Sequence, residues 1–366
     1  MNIRYLKLIN YRNYDNIQIP FNSGVNVFIG DNAQGKTNIL ESIYYCSIAK
    51  SHRTNKDREI INWDKDEAYI NVYVNKERLD KNIEIKIFKN GKRAIKVNSI
   101  GIKKVADLIG VFSAVIFSPE DLKIVKDSPS YRRRFLDMEI CQFSSTYYYN
   151  LVQYNKVLAE KSVLLKRYFE GQDEMLNIYD KQLSEFGAKI IKARLDYIEL
   201  LNRKGSSIHL DITAGMEKII FKYISTIRDL EEIEKTLLEE ITQNRKKDFQ
   251  RGSSSIGPHR DDLGIFINDI DTKIYGSQGQ QRTAVLTIKF STIDIIKEKT
   301  GEYPVLLLDD VLSELDNSRQ AYILKSIKNV QTFITCTGIE NIINNISSGA
   351  SIFKVSKGII IKEGEK

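Results

Sequence analysis

The sequence predicts an α/β chain in which both ends build one lobe around a glycine-rich loop and the middle is a helical insertion. Three observations predict it. Gly30-Asp31-Asn32-Ala33-Gln34-Gly35-Lys36-Thr37 has the spacing G-x-x-x-x-G-K-T, follows the apolar run Val25–Ile29 and opens the helical stretch Asn38–Tyr44. A second apolar run, Val305–Leu308, ends in Asp309-Asp310, 272 positions after Thr37. Between the two, from about residue 130 to about 251, apolar residues recur at i, i+3 and i+4, the period of a helix.

Taken in order, Ile3–Ile9 alternates as a strand, Ile17–Phe21 is short, and Val25–Ile29 leads into the loop. After the first helix, Ala68–Val74 and Asn82–Phe88 read as strands. Asn90-Gly91 then turns the chain into Ala94–Val97, because Asn-Gly tolerates the positive φ of a tight hairpin. This makes a β-rich subdomain. Tyr154, Val157, Leu158, Lys161, Leu164 and Leu165 mark one helix of the middle segment, and Leu183, Phe186, Ile190, Ile191 and Leu195 another. Glu231–Ile241 is a third, and no heptad run is long enough for an extended coiled coil. Arg251–Pro258 is a loop. A helix over Gln280–Lys299, the strand from Val305, a helix over Asn317–Lys328 and the strand Thr332–Thr335 complete the chain. The expected division is a split head, 1–120 with 250–366, and a helical arm, 121–249.

The loop has the chemistry of a nucleotide site. Gly30 and Gly35 let successive N–H groups face phosphate oxygens, and the helix N-terminus adds positive charge. Lys36 reaches the β- and γ-phosphates of ATP, the Thr37 hydroxyl is a ligand for Mg2+, and Asp31, Asn32, Ala33, Gln34 and Asn38 complete the cradle. Asp309, at the end of a strand, is the second Mg2+ residue, and Asp310 is placed to orient or deprotonate the attacking water. Lys36 and Asp310 are therefore the catalytic candidates. Tyr275–Arg282, at a helix start, resembles the ABC ATPase signature, Ser-Gly-Gly-Gln, with Gln278 in place of the first glycine. The resemblance implies an ABC-type P-loop ATPase head in which Ser277, Gly279 and Gln280 meet the γ-phosphate held by a second copy. Ser313–Asp316 stands at the ABC D-loop position. Cys336-Thr337 stands where many ABC proteins carry a switch histidine, and no Q-loop glutamine is found near Ser118–Asp121, so slow hydrolysis is expected.

Across nearly its whole length the chain resembles the bacterial RecF recombination-mediator family. The resemblance rests on Leu8–Tyr14, Gly30–Glu41, Ser51-His52-Arg53, Ser118–Leu122, Ser128-Pro129 with Arg132, Arg133, Leu136 and Asp137, Gly257–Asp262, Ser277–Arg282 and Leu307–Asp316. Lys161-Ser162 departs from the Arg-Asn usual there. The resemblance implies a Rad50-like head with a short arm, an ATP-dependent homodimer that clamps DNA, a weak DNA-stimulated ATPase, and loading of RecA through RecR at gaps, with RecO in the same pathway and a part in the SOS response. By analogy with Rad50, Arg12 and Asn13 contact the nucleotide near its α-phosphate.

Bulk properties are compatible with this. Lys+Arg number 55 against 48 Asp+Glu, a net charge of +7, which suits a polyanionic partner. Arg132–Arg134, Lys103-Lys104 and Arg245–Lys247 are the candidate DNA contacts, and His259 and Arg260 are expected at an interface between lobes. Cys46, Cys141 and Cys336 are too far apart for a zinc site or a disulfide framework. No apolar window long enough for a membrane span appears, so a cytoplasmic, nucleoid-associated protein is expected. The alternatives are an SMC-like structural ATPase, which needs longer coiled coils, a transporter nucleotide-binding subunit, and, more distantly, a small-molecule kinase.

Overall fold

The computed structural model describes residues 1–166, 173–338 and 349–363. They divide into two compact units, residues 1–121 with those from 286 onward, and residues 122–285. The first unit opens with β1 (Asn2–Tyr11), β2 (Tyr14–Pro20), β3 (Val25–Ile29) and helix α1 (Lys36–Ile48). Strands β4 (Glu67–Asn75), β5 (Lys81–Phe88), β6 (Arg93–Val97), β7 (Ile100–Ile102) and β8 (Ala114–Phe117) follow. The second unit holds α2 (Lys123–Lys126), α3 (Pro129–Cys141), α4 (Ser145–Lys166), α5 (Asp173–Ile212), β9 (Ile219–Ile224), α6 (Ile233–Gln243), α7 (Arg245–Arg251), β10 (Asp262–Ile267), β11 (Ile270–Asp271) and α8 (Thr272–Tyr275). Helix α9 (Gln278–Thr300) starts in the second unit and ends in the first. The first unit is completed by β12 (Val305–Asp309), α10 (Asn317–Ser326), β13 (Thr332–Cys336), β14 (Ser351–Ser356) and β15 (Ile359–Lys362).

Two sheets form the first unit. One is antiparallel, in the order β2-β1-β4-β5-β6-β7. Its strands alternate. On β5, Ile83, Ile85 and Ile87 are buried, and the residues between them point the other way, as a period of two requires. Gly91, with φ +81°, makes the expected turn between β5 and β6. The other sheet has the order β15-β14-β3-β13-β12-β8 and is parallel from β14 to β8. Every residue of β12 is buried, the signature of a parallel strand covered on both faces. Gln331 joins the sheets by imitating a strand: its Oε1 accepts from Ile3 N (2.6 Å), and its Nε2 donates to Ile3 O (2.8 Å) and Asn22 O (2.7 Å).

In the second unit, α4 and α5 pack as a hairpin. At 40 residues, α5 runs roughly 60 Å. The segment expected to be wholly helical also contains β9, which pairs antiparallel with β10 and so belongs to a three-stranded sheet, β11-β10-β9. Its Ile-Ile-Phe-Lys-Tyr-Ile pattern fits a strand, but its partner lies some forty residues downstream, beyond the reach of local periodicity. The expected loop after Arg251 lies between α7 and β10. The second unit includes the segment 121–249 expected as the arm, apart from its first residue, and continues to Val285. Its interior is rich in charge. Arg194 donates to Tyr147 Oη (3.0 Å), Asp137 Oδ1 (2.8 Å) and the Pro258 carbonyl (2.7 Å), and Lys161 lies against Asp180 (2.7 Å) and Asp248 (3.5 Å).

Candidate nucleotide site

The phosphate loop joins β3 to α1. Since β3, β13 and β12 run parallel, the loop and the end of β12 emerge at the same edge of the sheet, where open α/β sheets gather ligands. Gly30 is fixed by space: a Cβ there would run into the Val355 carbonyl of β14. Gly35 is fixed twice, by a φ of +114° and by Asn13, whose amide a Cβ would meet at 2.5 Å. Asp31, Asn32 and Ala33 form the exposed tip, with Ala33 left-handed at φ +63°. Gln34 is held from two sides, as its carbonyl accepts from Asn13 Nδ2 (3.0 Å) and its Oε1 from Lys357 N (2.6 Å). Lys36 is buried, and its Nζ donates to the Gly30 and Asp31 carbonyls, the second at 2.9 Å.

The two halves meet directly. Thr37 Oγ1 donates to Asp309 Oδ1 at 2.9 Å across 272 positions. Thr335, at the end of β13, donates its hydroxyl to the same oxygen (2.8 Å) and accepts from Asp310 N (2.9 Å). That hydroxyl bridges the two acidic residues and holds Asp310 in a left-handed turn, φ +54°. Burial pushes the Asp309 carboxyl above the usual carboxylate range, opposed by the hydrogen bonds from Thr335 and Thr37. A hydroxyl and a carboxylate oxygen this close are hard donors that suit Mg2+, a cation that usually keeps several waters and takes few protein ligands.

Arg12, expected at the nucleotide, commits its fork to Glu41 of α1: Nε to Oε2 (2.9 Å) and Nη2 to Oε1 (2.7 Å). Asn13 and Asn38 bond one another (2.8 Å) beside the loop. Arg53 donates to Asn38 Oδ1 (2.9 Å), and its charge acts on Asp309. Arg12, Asn13, residues 30–38, Asp309 and Asp310 are thus gathered around one loop. Ser277, Gly279 and Gln280 stand in the second unit, where Ser277 and Gln280 form a reciprocal capping box at the start of α9. Gln280 N donates to Ser277 Oγ (3.2 Å), and Ser277 N donates to Gln280 Oε1 (2.9 Å). Sequence reasoning missed Thr335 and Glu41. Neither carries a motif of its own, and only the pairing of β13 with β12 and the packing of α1 give them their roles.

The basic runs divide. Arg132 is buried and forks onto Asp262 (2.6 and 2.8 Å), Arg133 donates to the Asp261 carbonyl (2.8 Å), and Arg245 pairs with Asp180 (2.7 Å). Lys103, Lys104, Lys246 and Lys247 are exposed. His259, expected at an interface, lies inside the second unit between Tyr154 Oη (2.6 Å) and the Ser254 carbonyl (3.0 Å).

The family model of the RecF/RecN/SMC N terminal domain matches residues 2–361. The DNA replication and repair protein RecF of Clostridium perfringens is 59% identical over 360 residues, 98% of this chain and 99% of that protein. That of Clostridium tetani is 57% identical over 366 residues, 99% and 100% of the two. Among solved structures, the recombination mediator protein RecF with ATP in the RecFOR pathway superimposes with a TM-score of 0.91 at 38% identity, covering 99% of this chain and 97% of that one. An Smc head bound to the C-winged helix domain of ScpA aligns with a TM-score of 0.57 at 16% identity, covering 99% and 97%, a likeness of fold alone. The fold is that of an ABC-type P-loop ATPase head with a β-rich subdomain and an inserted helical arm.

Proposed function

We infer that this chain, which belongs to the RecF family of DNA replication and repair proteins, is an ATP-gated DNA clamp of recombinational repair. It dimerises on ATP, binds duplex DNA and single-strand/duplex junctions at gaps, hydrolyses ATP slowly and helps load RecA through RecR, with RecO in the same pathway. The observation that carries this reading is the 2.9 Å hydrogen bond from Thr37 to Asp309, which closes a phosphate loop and a strand-end carboxylate into one site.

Within that site the loop amides and the α1 N-terminus bind the phosphates, and Lys36 Nζ, which bonds the Gly30 and Asp31 carbonyls of the loop, places its charge beside the β- and γ-oxygens. Thr37 and Asp309 would hold Mg2+, which when bound neutralises charge on the γ-phosphate. Asp310 orients the attacking water and accepts its proton, its backbone fixed by Thr335 and by Ser313 Oγ, which donates to the Asp310 carbonyl (2.9 Å). Where many ABC proteins carry a histidine, burial pushes the Cys336 thiol up to about 11, so it stays neutral near pH 7 and supplies no charged relay. This favours slow turnover. Ser277, Gly279 and Gln280 complete the site of a second copy, so that ATP lies between two chains.

Sedimentation of the full chain with Mg-ATP and duplex DNA, at low and high salt, tests this. An ATP-dependent dimer that binds DNA less tightly as salt rises supports the clamp. A chain that stays monomeric in ATP, or a normal ATP-dependent dimer formed by Ser277→Arg, overturns it. Lys36→Arg should lose ATP-dependent DNA association, and unchanged association removes the gating.

A further inference from the structure

Glu41 lies one helical turn beyond Thr37 on α1, and its carboxylate is wholly buried. Besides the Arg12 fork it accepts from Ser51 Oγ (2.5 Å) and lies 3.7 Å from Arg53 Nη1. The links run on. Arg12 Nη1 donates to the Glu59 carbonyl (2.6 Å), Arg53 to Asn38, Asn38 to Asn13, and Asn13 to the Gln34 carbonyl in the phosphate loop. One carboxylate therefore ties three segments together: the β1–β2 turn, the chain that follows α1 and the loop itself. Burial alone would raise its pKa, but the hydrogen bonds and charge of Arg12 outweigh burial and hold it below the usual range, so Glu41 is an anion in the fold. Its two cationic partners keep 20% and 39% of their side chains in solvent.

We propose that Glu41 is a positioning residue for ATP hydrolysis, setting the Arg12 and Arg53 guanidinia and, through Asn38 and Asn13, the shape of the phosphate loop. This rests on the reading of that loop as an ATP site. Neutralising Glu41 removes a negative charge from the neighbourhood of a polyanionic ligand, so electrostatics does not weaken ATP binding. The same change unties the loop from the segments that shape it, which misplaces the reacting groups. Binding and turnover then separate, whereas a general loss of structure would lower both together.

The test uses the full chain with Mg-ATP, measuring binding by displacement of a fluorescent ATP analogue and steady-state hydrolysis at saturating ATP. Glu41→Gln should bind ATP within about threefold of the parent protein while kcat falls at least about tenfold. Arg12→Gln should lower kcat less than Glu41→Gln, because it leaves the Arg53 link to Asn38 in place, and the double variant should match Glu41→Gln, because both residues act through one network. A kcat within about twofold of the parent, proportional loss of binding and kcat, or additive effects in the double variant would each overturn the proposal. Should Glu41→Gln not fold, Ser51→Ala releases one link to the carboxylate from outside the phosphate cradle. It is expected to lower kcat by about threefold with binding kept, and unchanged kcat sinks the idea. A parent protein that binds no Mg-ATP refutes the ATP reading itself. A parent that binds, with a variant that turns over normally, refutes this inference alone.

Discussion

Each unit buries a carboxylate against cations, but the two clusters are built differently. In the first unit Glu41 is sealed while Arg12 and Arg53 keep a fifth and more than a third of their side chains in solvent. In the second unit Lys161, Asp180 and Asp248 are all closed off at 0% exposure, with Ser254 and Ser255 bonded to Asp248 and Arg245 to Asp180. A cluster whose cations reach solvent can exchange partners when a charged ligand arrives. The Lys161 ammonium, closed off on every side, cannot, although Arg245 at the edge of the cluster keeps 20% of its side chain in solvent, and the effect is to lock α4, α5 and α7 in one register. The first arrangement suits a reaction site and the second a scaffold.

The sharpest way to break this contrast is to remove the sealed cation. Lys161→Met leaves Asp180 and Asp248 buried without their shared ammonium. The expected cost is about 3–5 kcal/mol, the range for a buried pair deprived of one partner. Urea unfolding followed by circular dichroism measures it, and a loss under about 1 kcal/mol would show that water reaches the cluster. Replacing all three charges by apolar residues of similar size should recover most of the loss, since burying the ions is itself costly.

A second effect separates the units by pH. His259 Nε2 faces the Ser254 carbonyl and so donates to it, which leaves Nδ1 to accept from Tyr154 Oη. Burial pushes the imidazole down to about 4, so it is neutral in the fold. The unfolded histidine, near 6.5, takes a proton first as pH falls. Stability is therefore fully present above pH 6.5 and drains away between 6.5 and about 4, by up to about 3 kcal/mol. His259→Gln, which can make both hydrogen bonds without titrating, should flatten that slope. Parallel pH profiles for the two proteins would refute the assignment.

What the sequence disclosed follows from the range of the forces involved. Gly30, Gly35 and Lys36 declare themselves because a phosphate loop needs those residues at that spacing, and Asp309 because a wholly apolar strand ends in it. Arg12 declares its charge but not its partner, 29 positions away in Glu41. Arg132 read as a DNA contact for the same reason, since nothing near it in sequence reveals Asp262, 130 positions on. Gln331 and Ile3, which join the two sheets, are 328 positions apart. Local patterns therefore revealed most helices and strands, while β9 and the destinations of buried charges depend on contacts that only the closed fold creates.

A smaller effect probes the reaction site. Thr335→Val keeps the shape of the side chain and removes the hydroxyl that bridges Asp309 and Asp310. Stability should fall by about 1–3 kcal/mol, since two hydrogen bonds are lost and Asp310 N is left unsatisfied. Because Asp310 N loses its partner at a left-handed turn, kcat for ATP should fall by about tenfold with little change in ATP affinity. Equal loss of affinity would mean that Thr335 shapes the loop rather than Asp310.

The smallest effect isolates the environment from the geometry. Glu185 and Lys189 lie one turn apart on α5 with their charges at 2.8 Å, nearly the 2.7 Å of Lys161 and Asp180, yet both side chains are about half exposed. Distance alone would make the two pairs equal. Water makes them unequal, because the exposed ions keep most of their hydration when the pair is broken. Glu185→Gln should cost only about 0.3–0.5 kcal/mol and fade further in molar salt, where screening shortens to about 3 Å. It also leaves Lys189 over the Phe186 ring, 5.6 Å from its centre, so the ion pair alone is removed. A cost near that of Lys161→Met would mean that closeness, not closure from solvent, decides what a charge pair contributes here, and the distinction between the open and sealed clusters would lose its physical basis.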